Sequence, residues 1–500
     1  MAFIDARTLS PGHQIDADVC VIGAGAAGLA IAKSFFGRSQ RLVLLESGGH
    51  DPDPATQALY AGSSVGAPHA ALALARLRYF GGTTNHWTAH VRPLDPLDFA
   101  ARPWVPYSGW PIGRAELDPF YERAGSLLGL PNRPFDVERW QGRFPDALPW
   151  RFDADRVTSG VRQIVAESHR RLGPRLREQI ARSQNVNAYL FANVLRIELE
   201  ESRAAVARLQ VGTLEGGRFS ARARHFVLAA GGIENARILL LSSIGGPDDP
   251  EHGLVGRFYA NHPEAALVAE LQLSDARLGR RFYGSRRHAH GRAAGSLCLS
   301  PEVQRAQQLR GCRVNLYGRR APSTPPGLAV GGLASRSDAL GSGETTKREP
   351  GPLLPVSVVA EPAPNPDSQV RLGDQRDALG QRRVVLDWRI AASDSISVRR
   401  TLEVVARELG ASGLGRARIL FPEDGFAELD PRGSHHHMGT TRMHSDPNQG
   451  VVDANCRVHG ISNLFVAGSS VFPTFGTANP TYTLLALAFR LSDHLQRLST

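Results

Sequence analysis

Gly23, Gly25 and Gly28 form a G-x-G-x-x-G turn between the apolar run VCVIG and the small-residue stretch Ala26 to Phe36. Glycines at these places let a backbone approach a pyrophosphate closely, and the N-terminus of the following helix stabilises its charge. Glu46 closes a second apolar run, RLVLLE, where a carboxylate can accept both hydroxyl hydrogens of a ribose. Together they predict dinucleotide binding, with nicotinamide and flavin not yet separated. A second candidate is the run His435, His436 and His437. A neutral imidazole, with an ordinary pKa of about 6.5, can take the proton of an alcohol and release it afterwards. Metal affinity by composition and a tag scar in GSHHHM are the blander readings. No second ligand cluster accompanies the run, so no metal is expected.

These residues need elements to hold them. Asp18 to Gly25 and Arg41 to Glu46 read as strands flanking a helix, a β-α-β unit with right-handed crossover and a parallel sheet. The pattern returns where Ala223 to Ala229 runs into Gly231 and Gly232 before a helix, Glu234 to Leu241. It returns again where Asn463 to Ala467 closes on Gly468 ahead of a long apolar helix, Pro480 to Leu498. Trp104 to Leu130 carries aromatics and a helical stretch, ELDPFYERAGSLL. From Glu264 to Phe426 the texture changes to strand-like pieces separated by Pro/Gly/Ser stretches, among them Ala321 to Gly327 and Gly341 to Pro355. That predicts a second domain with mobile loops, interleaved with the first.

Five hundred residues suit two lobes better than one core, and 42% hydrophobic with 21% charged residues is ordinary globular usage. No apolar run reaches the roughly 18 residues needed to cross a bilayer, so no membrane span is expected. The start lacks a basic segment followed by an apolar one, which makes the cytoplasm the default expectation. The net charge of +10 comes almost wholly from arginine, since only Lys33 and Lys347 are lysines, and the arginines are spread along the chain. Nucleic-acid binding clusters its basic residues, so no nucleic-acid partner is expected. Cys20, Cys298, Cys312 and Cys456 are too scattered for a zinc ribbon, a disulfide scaffold or a haem attachment motif.

Seven segments, in order, resemble the glucose-methanol-choline (GMC) oxidoreductase family of flavoenzymes over close to the full length. They are RYFGGTTNHWTAHVRPLDPLDF (Arg78 to Phe99), GWPIGRAELDPFYERA (Gly109 to Ala124), FVLAAGGIENARILLLS (Phe226 to Ser242), LVGRFYANHP (Leu254 to Pro263), EPAPNPDSQVRL (Glu361 to Leu372), HHMGTTRM (His436 to Met443) and the stretch Val451 to Thr483. Roughly Gly284 to Pro355 matches no motif, and there the family usually builds its substrate pocket. Within the family, TNHWT and the NPT ending are more similar to the pyranose oxidase and sugar 3-oxidase branch than to cholesterol or choline oxidases.

The resemblance implies an α/β fold in which a Rossmann-like FAD-binding domain (1–100, 190–262 and 430–500) is interleaved with an α+β substrate-binding domain (101–189 and 263–429). It implies FAD as cofactor, with Gly23, Gly25, Ala27 and Gly28 at the diphosphate, Glu46 and Ser47 at the adenosine ribose, and Val194 beside the adenine. Gly81, Gly82, Thr83 and Asn85 would line the diphosphate and flavin. Ala230, Gly231, Gly468 and Ser469, from the later glycine turns, would complete the cofactor wall. Pro480 and Thr481 open the last helix, whose positive end faces the flavin's pyrimidine side in this family. His86 matches the position at which pyranose oxidase-like members bond a histidine to the flavin. A histidine that only packs beside the ring is the other reading.

The activity implied is oxidation of a CH–OH group to a carbonyl. In the family's H-x-x-G-T motif the base sits three residues before the glycine, which selects His436, and Asn479 in ANPTYT matches its partner. An amide there would hydrogen-bond the substrate oxygen as alkoxide character grows. A secondary hydroxyl of a sugar or glycoside is the first choice of substrate, with a polyol or natural-product alcohol as alternative. Oxygen, a quinone or an electron-transfer partner would reoxidise the flavin, and any cytochrome partner must be another chain. A GMC-fold lyase and an inactive flavin-binding protein are the remaining readings. The oligomeric state is not legible.

Overall fold

The computed structural model describes residues 2–132, 134–144, 146, 148–246, 253–275, 282–316, 353–427 and 434–498. The stretch Ala321 to Gly327, and all but the end of Gly341 to Pro355, lie outside the described residues.

Strand Gln14–Ile22 ends in four buried residues, the pattern of a central parallel strand covered on both faces. It pairs in parallel with Leu42–Leu45 on one side and Arg218–Leu228 on the other. Outward from Leu42–Leu45 follow Val186–Leu190 and Phe3–Asp5, also parallel. On the other flank Arg218–Leu228 carries Leu464–Val466 in parallel, and Val206–Gly212 in antiparallel fashion, followed by Asn193–Leu199. Helix Ala26–Phe35 packs against helix Thr481–Leu498, and Thr481–Leu498 against helix Arg114–Leu127.

A second, antiparallel sheet runs in the order Gly415–Ile419, Glu264–Leu273, Leu354–Ala360, Cys312–Leu316, Gly291–Leu299, Val157–Val165 and His90–Val91. Helix Ala392–Ala411 packs against it and buries Val398, Leu402, Val405 and Leu409. A three-stranded sheet joins Gln369–Arg376, Arg382–Trp388 and Gly62–Gly66.

Some segments sit apart from the expected domain boundaries. Val186–Leu190, all but its last residue, and helix Leu172–Ala181 fall within the range 101–189 yet join the first layer, as does Arg114–Leu127. Val370, Val384, Leu386 and Trp388, within 263–429, are buried in the same core. A short half-buried strand such as VNAYL alternates identically whichever sheet it enters, so sequence periodicity could not assign it. Among the described residues no helix is long and apolar enough to cross a membrane.

Candidate active site

The chain leaves strand Gln14–Ile22 through Gly23, whose φ of +102° belongs to the left-handed region and whose Cβ would lie 2.8 Å from the Ala229 carbonyl oxygen. Gly25 then caps helix Ala26–Phe35 without any side-chain hydrogen bond. A Cβ on Gly28 would lie 2.0 Å from the Gly23 carbonyl oxygen, so helix and strand pack closely only through glycine. The Glu46 carboxylate turns inward and accepts the N–H groups of Ala24 (2.8 Å) and Gly48 (2.9 Å). Burial pushes its pKa upward, and those two donors pull against the shift.

A cavity of about 950 Å³ opens at the carboxyl ends of the parallel strands and reaches the histidine run, the edge where α/β sheets bind ligands. Of the sequence-predicted residues, Gly23, Gly25, Ala27, Glu46, Ser47, Gly82, Thr83, His86, Val194, Ala230 and Gly231 line it. So do His436, Gly468, Ser469, Asn479, Pro480 and Thr481. Gly28, Gly81 and Asn85 stand behind the wall. Gly81 abuts Gly173 and the Asn85 side chain, while Asn85 donates to the Phe80 carbonyl at 2.9 Å. They shape the turn and do not face the cavity. His86 is exposed on the cavity side, and its Nε2 hydrogen-bonds the Tyr79 hydroxyl at 2.8 Å.

A flavin dinucleotide fits this wall. Cβ atoms at Gly25 and Gly231 would meet nothing within 4 Å, so both glycines border open space. The uncapped N-terminus of helix Ala26–Phe35 offers backbone donors to a diphosphate there. Glu46 accepts two backbone N–H groups and, at 3.5 Å, the Ser47 hydroxyl, which leaves acceptor capacity for a ribose hydroxyl.

At the other end, His436 and Asn479 meet, with Nδ2 of the amide 3.1 Å from Nε2 of the imidazole. The Asn479 oxygen faces the Arg313 guanidinium at 3.4 and 3.5 Å, which fixes the amide with its nitrogen toward His436. The other ring nitrogen of His436, Nδ1, lies 2.9 Å from Nδ1 of His262. Nε2 of His262 lies 3.0 Å from the Gly476 carbonyl. Burial, then the charges of His262 and Arg313, holds the His436 pKa well below the ordinary histidine range. Burial, with Arg313 behind it, brings His262 down to about 4. His437 points elsewhere, its ring 5.5 Å from that of His69 and its carbonyl accepting the Ser469 hydroxyl at 2.7 Å.

Sequence reasoning missed His262, Arg313 and a charged group on the cavity wall. There Arg76 and Arg78 meet Glu234 at 3.0 and 3.4 Å. Burial pushes that carboxyl upward, yet Arg237, Arg76 and Arg78 together bring it down to about 2. His262 lay inside the recognised segment ANHP, but a histidine between an asparagine and a proline carries no periodic signal. Only long-range folding brings it to His436.

The GMC oxidoreductase family model matches residues 364–488. The chain is 25% identical to the 2-methyl-1,2-propanediol dehydrogenase of Mycolicibacterium austroafricanum, over 83% of this chain and 80% of that protein. It is 26% identical to the C-glycoside 3-oxidase of Microbacterium trichothecenolyticum, over 83% of this chain and 74% of that protein. The crystal structure of pyridoxine 4-oxidase from "Mesorbium loti" superposes with a TM-score of 0.55 at 20% identity, covering 96% of this chain and 99% of that one. The chain thus carries the GMC oxidoreductase segment at its carboxyl end and shares the fold of a solved pyridoxine 4-oxidase over nearly every residue.

Proposed function

We propose that this oxidoreductase binds FAD and oxidises a secondary hydroxyl of a sugar or glycoside to a carbonyl, with His436 as base and Asn479 as the amide at the reacting oxygen. The observation that carries the reading is the 3.1 Å approach of Asn479 Nδ2 to His436 Nε2 on the wall of the cavity that the dinucleotide turn also lines. A hydroxyl entering between the imidazole lone pair and the amide N–H that it now accepts can give its proton to Nε2 and take the amide N–H on its oxygen. Burial keeps the imidazole neutral, hence basic in form, at neutral pH. FAD, when bound, supplies the hydride acceptor. The C-glycoside 3-oxidase relative supports a glycoside, and the comparably similar diol dehydrogenase supports a polyol as the second reading.

The test is anaerobic mixing of the yellow protein with a panel of hexoses, glycosides, diols and primary alcohols. Bleaching by a sugar or glycoside, with the 3-keto or another keto sugar recovered, is the expected result. Bleaching by diols alone would overturn the substrate class, and product formation without bleaching would mark a lyase. Reoxidation by air compared with a benzoquinone then identifies the acceptor. For His86, acid precipitation separates the two readings: colour retained on the precipitate marks a covalent bond, and colour released marks a packing histidine.

A further inference from the structure

We propose that His262 is a positioning residue that holds His436 in the one tautomer whose Nε2 is unprotonated and so able to take the substrate hydroxyl proton. The inference rests on His436 being the base and deepens that reading. The Gly476 carbonyl can only accept, so the 3.0 Å contact requires a proton on Nε2 of His262. A neutral imidazole carries one N–H, which leaves Nδ1 of His262 as a lone pair. The 2.9 Å contact between the two Nδ1 atoms then requires the proton to sit on Nδ1 of His436. Nε2 of His436 is left as the lone pair, turned toward the Asn479 N–H.

From the opposite end the same order follows. The Arg313 guanidinium, a donor only, takes the Asn479 oxygen and so presents the amide nitrogen to His436. Both ends therefore agree on every proton between Arg313 and Gly476. Shifting any one of them would oppose two lone pairs or two N–H groups in a buried place, where an unmet polar group is costly.

The clamp is double. Asn261 accepts the His436 backbone N–H on its side-chain oxygen at 2.9 Å, so two consecutive residues fix both the main chain and the ring of His436. Ala260 and Met438 exchange both backbone hydrogen bonds at 3.0 Å, which sets the register of the two segments. His262 is fully buried. The charged and titratable groups around the pair are Arg313, Glu361, His435 and His90. When His436 receives the substrate hydroxyl proton on Nε2, its Nδ1–H stays donated to His262, which remains neutral.

The experiment compares His262→Leu with His262→Asn in the FAD-loaded enzyme. Asparagine can return an acceptor oxygen near Nδ1, whereas leucine cannot. The expected result for His262→Leu is retained flavin, little change in KM, and a fall in anaerobic flavin reduction on the order of 10²-fold with a displaced acid limb of the pH profile. His262→Asn should recover to within about tenfold of wild type. Wild-type rates and pH profile in His262→Leu would overturn the proposal, as would a His262→Asn variant no better than leucine. Should leucine fail to fold, ¹⁵N-histidine NMR of the wild-type holoenzyme, assigned with His436→Asn, reads the tautomer directly. A proton on Nδ1 of His436 supports the proposal, and a proton on Nε2 overturns it. Full turnover in His436→Ala would instead refute the base assignment while leaving that tautomer readable.

Discussion

The amide of Asn479 meets the ring of His436 nitrogen to nitrogen at 3.1 Å, and its oxygen is held away by Arg313. The orientation makes Asn479 a donor toward the reacting position. Asn479→Asp replaces that donor with an acceptor and adds a negative charge beside the base. Flavin reduction should fall on the order of 10²-fold, as for removal of a single hydrogen-bond donor at a developing oxyanion. Rates within threefold of wild type, measured by stopped flow without oxygen, would refute the role.

Removing His436, the proposed base, should cost more in rate than in structure. His436→Ala is expected to remain yellow and to lose 10²-fold or more of turnover, the order contributed by a general base. Absorbance of the purified protein and steady-state turnover check both halves, and near-normal turnover would end the assignment.

Two glycines of one motif should fail differently. Gly25 borders open space, so Gly25→Val should fold normally and be purified without FAD. Gly28 lies against the backbone, with a Cβ placed 2.0 Å from the Gly23 oxygen, so Gly28→Val should destabilise the fold itself. Thermal melting alongside flavin content distinguishes the two. A Gly25→Val protein with full FAD occupancy would show that the diphosphate lies elsewhere.

Acid should act on the histidine pair in a defined direction. His262 ionises near 4 in the folded protein and near 6.5 when unfolded, so the unfolded chain binds more protons between those values. Its contribution to stability is present above pH 6.5 and is lost as pH falls toward 4, on the order of 3 kcal/mol for a shift of this size. A downward shift of His436, caused chiefly by burial, keeps the proposed base deprotonated, so the plateau of kcat/KM should extend below pH 6.5. Urea midpoints and rate profiles between pH 4 and 8 test both statements, and an acid limb centred above 6.5 would contradict the second.

Arg102 and Glu361 form a bidentate pair, 2.9 and 2.5 Å, with both side chains essentially shielded from water. Arg102→Leu strands a buried carboxylate and should destabilise by about 3–5 kcal/mol. Adding Glu361→Gln removes the stranded charge and should restore part of the loss. Equal urea midpoints for wild type and Arg102→Leu would contradict this account.

The sequence by itself determined the dinucleotide turn and the strands and helices around it, and motif likeness singled out His436 and Asn479, the residues proposed to react. Those features are local: Gly23, Gly25, Gly28 and the apolar runs beside them are constrained by backbone geometry within a few residues of one another. Tertiary structure alone decided that Val186–Leu190 enters the first sheet, that Gly81 and Asn85 brace the wall without facing the cavity, and that His262 backs His436 across 174 residues of chain. The reason is physical. A hydrogen bond between distant side chains depends on where whole strands and helices pack, and the residue types at its two ends carry no trace of that distance.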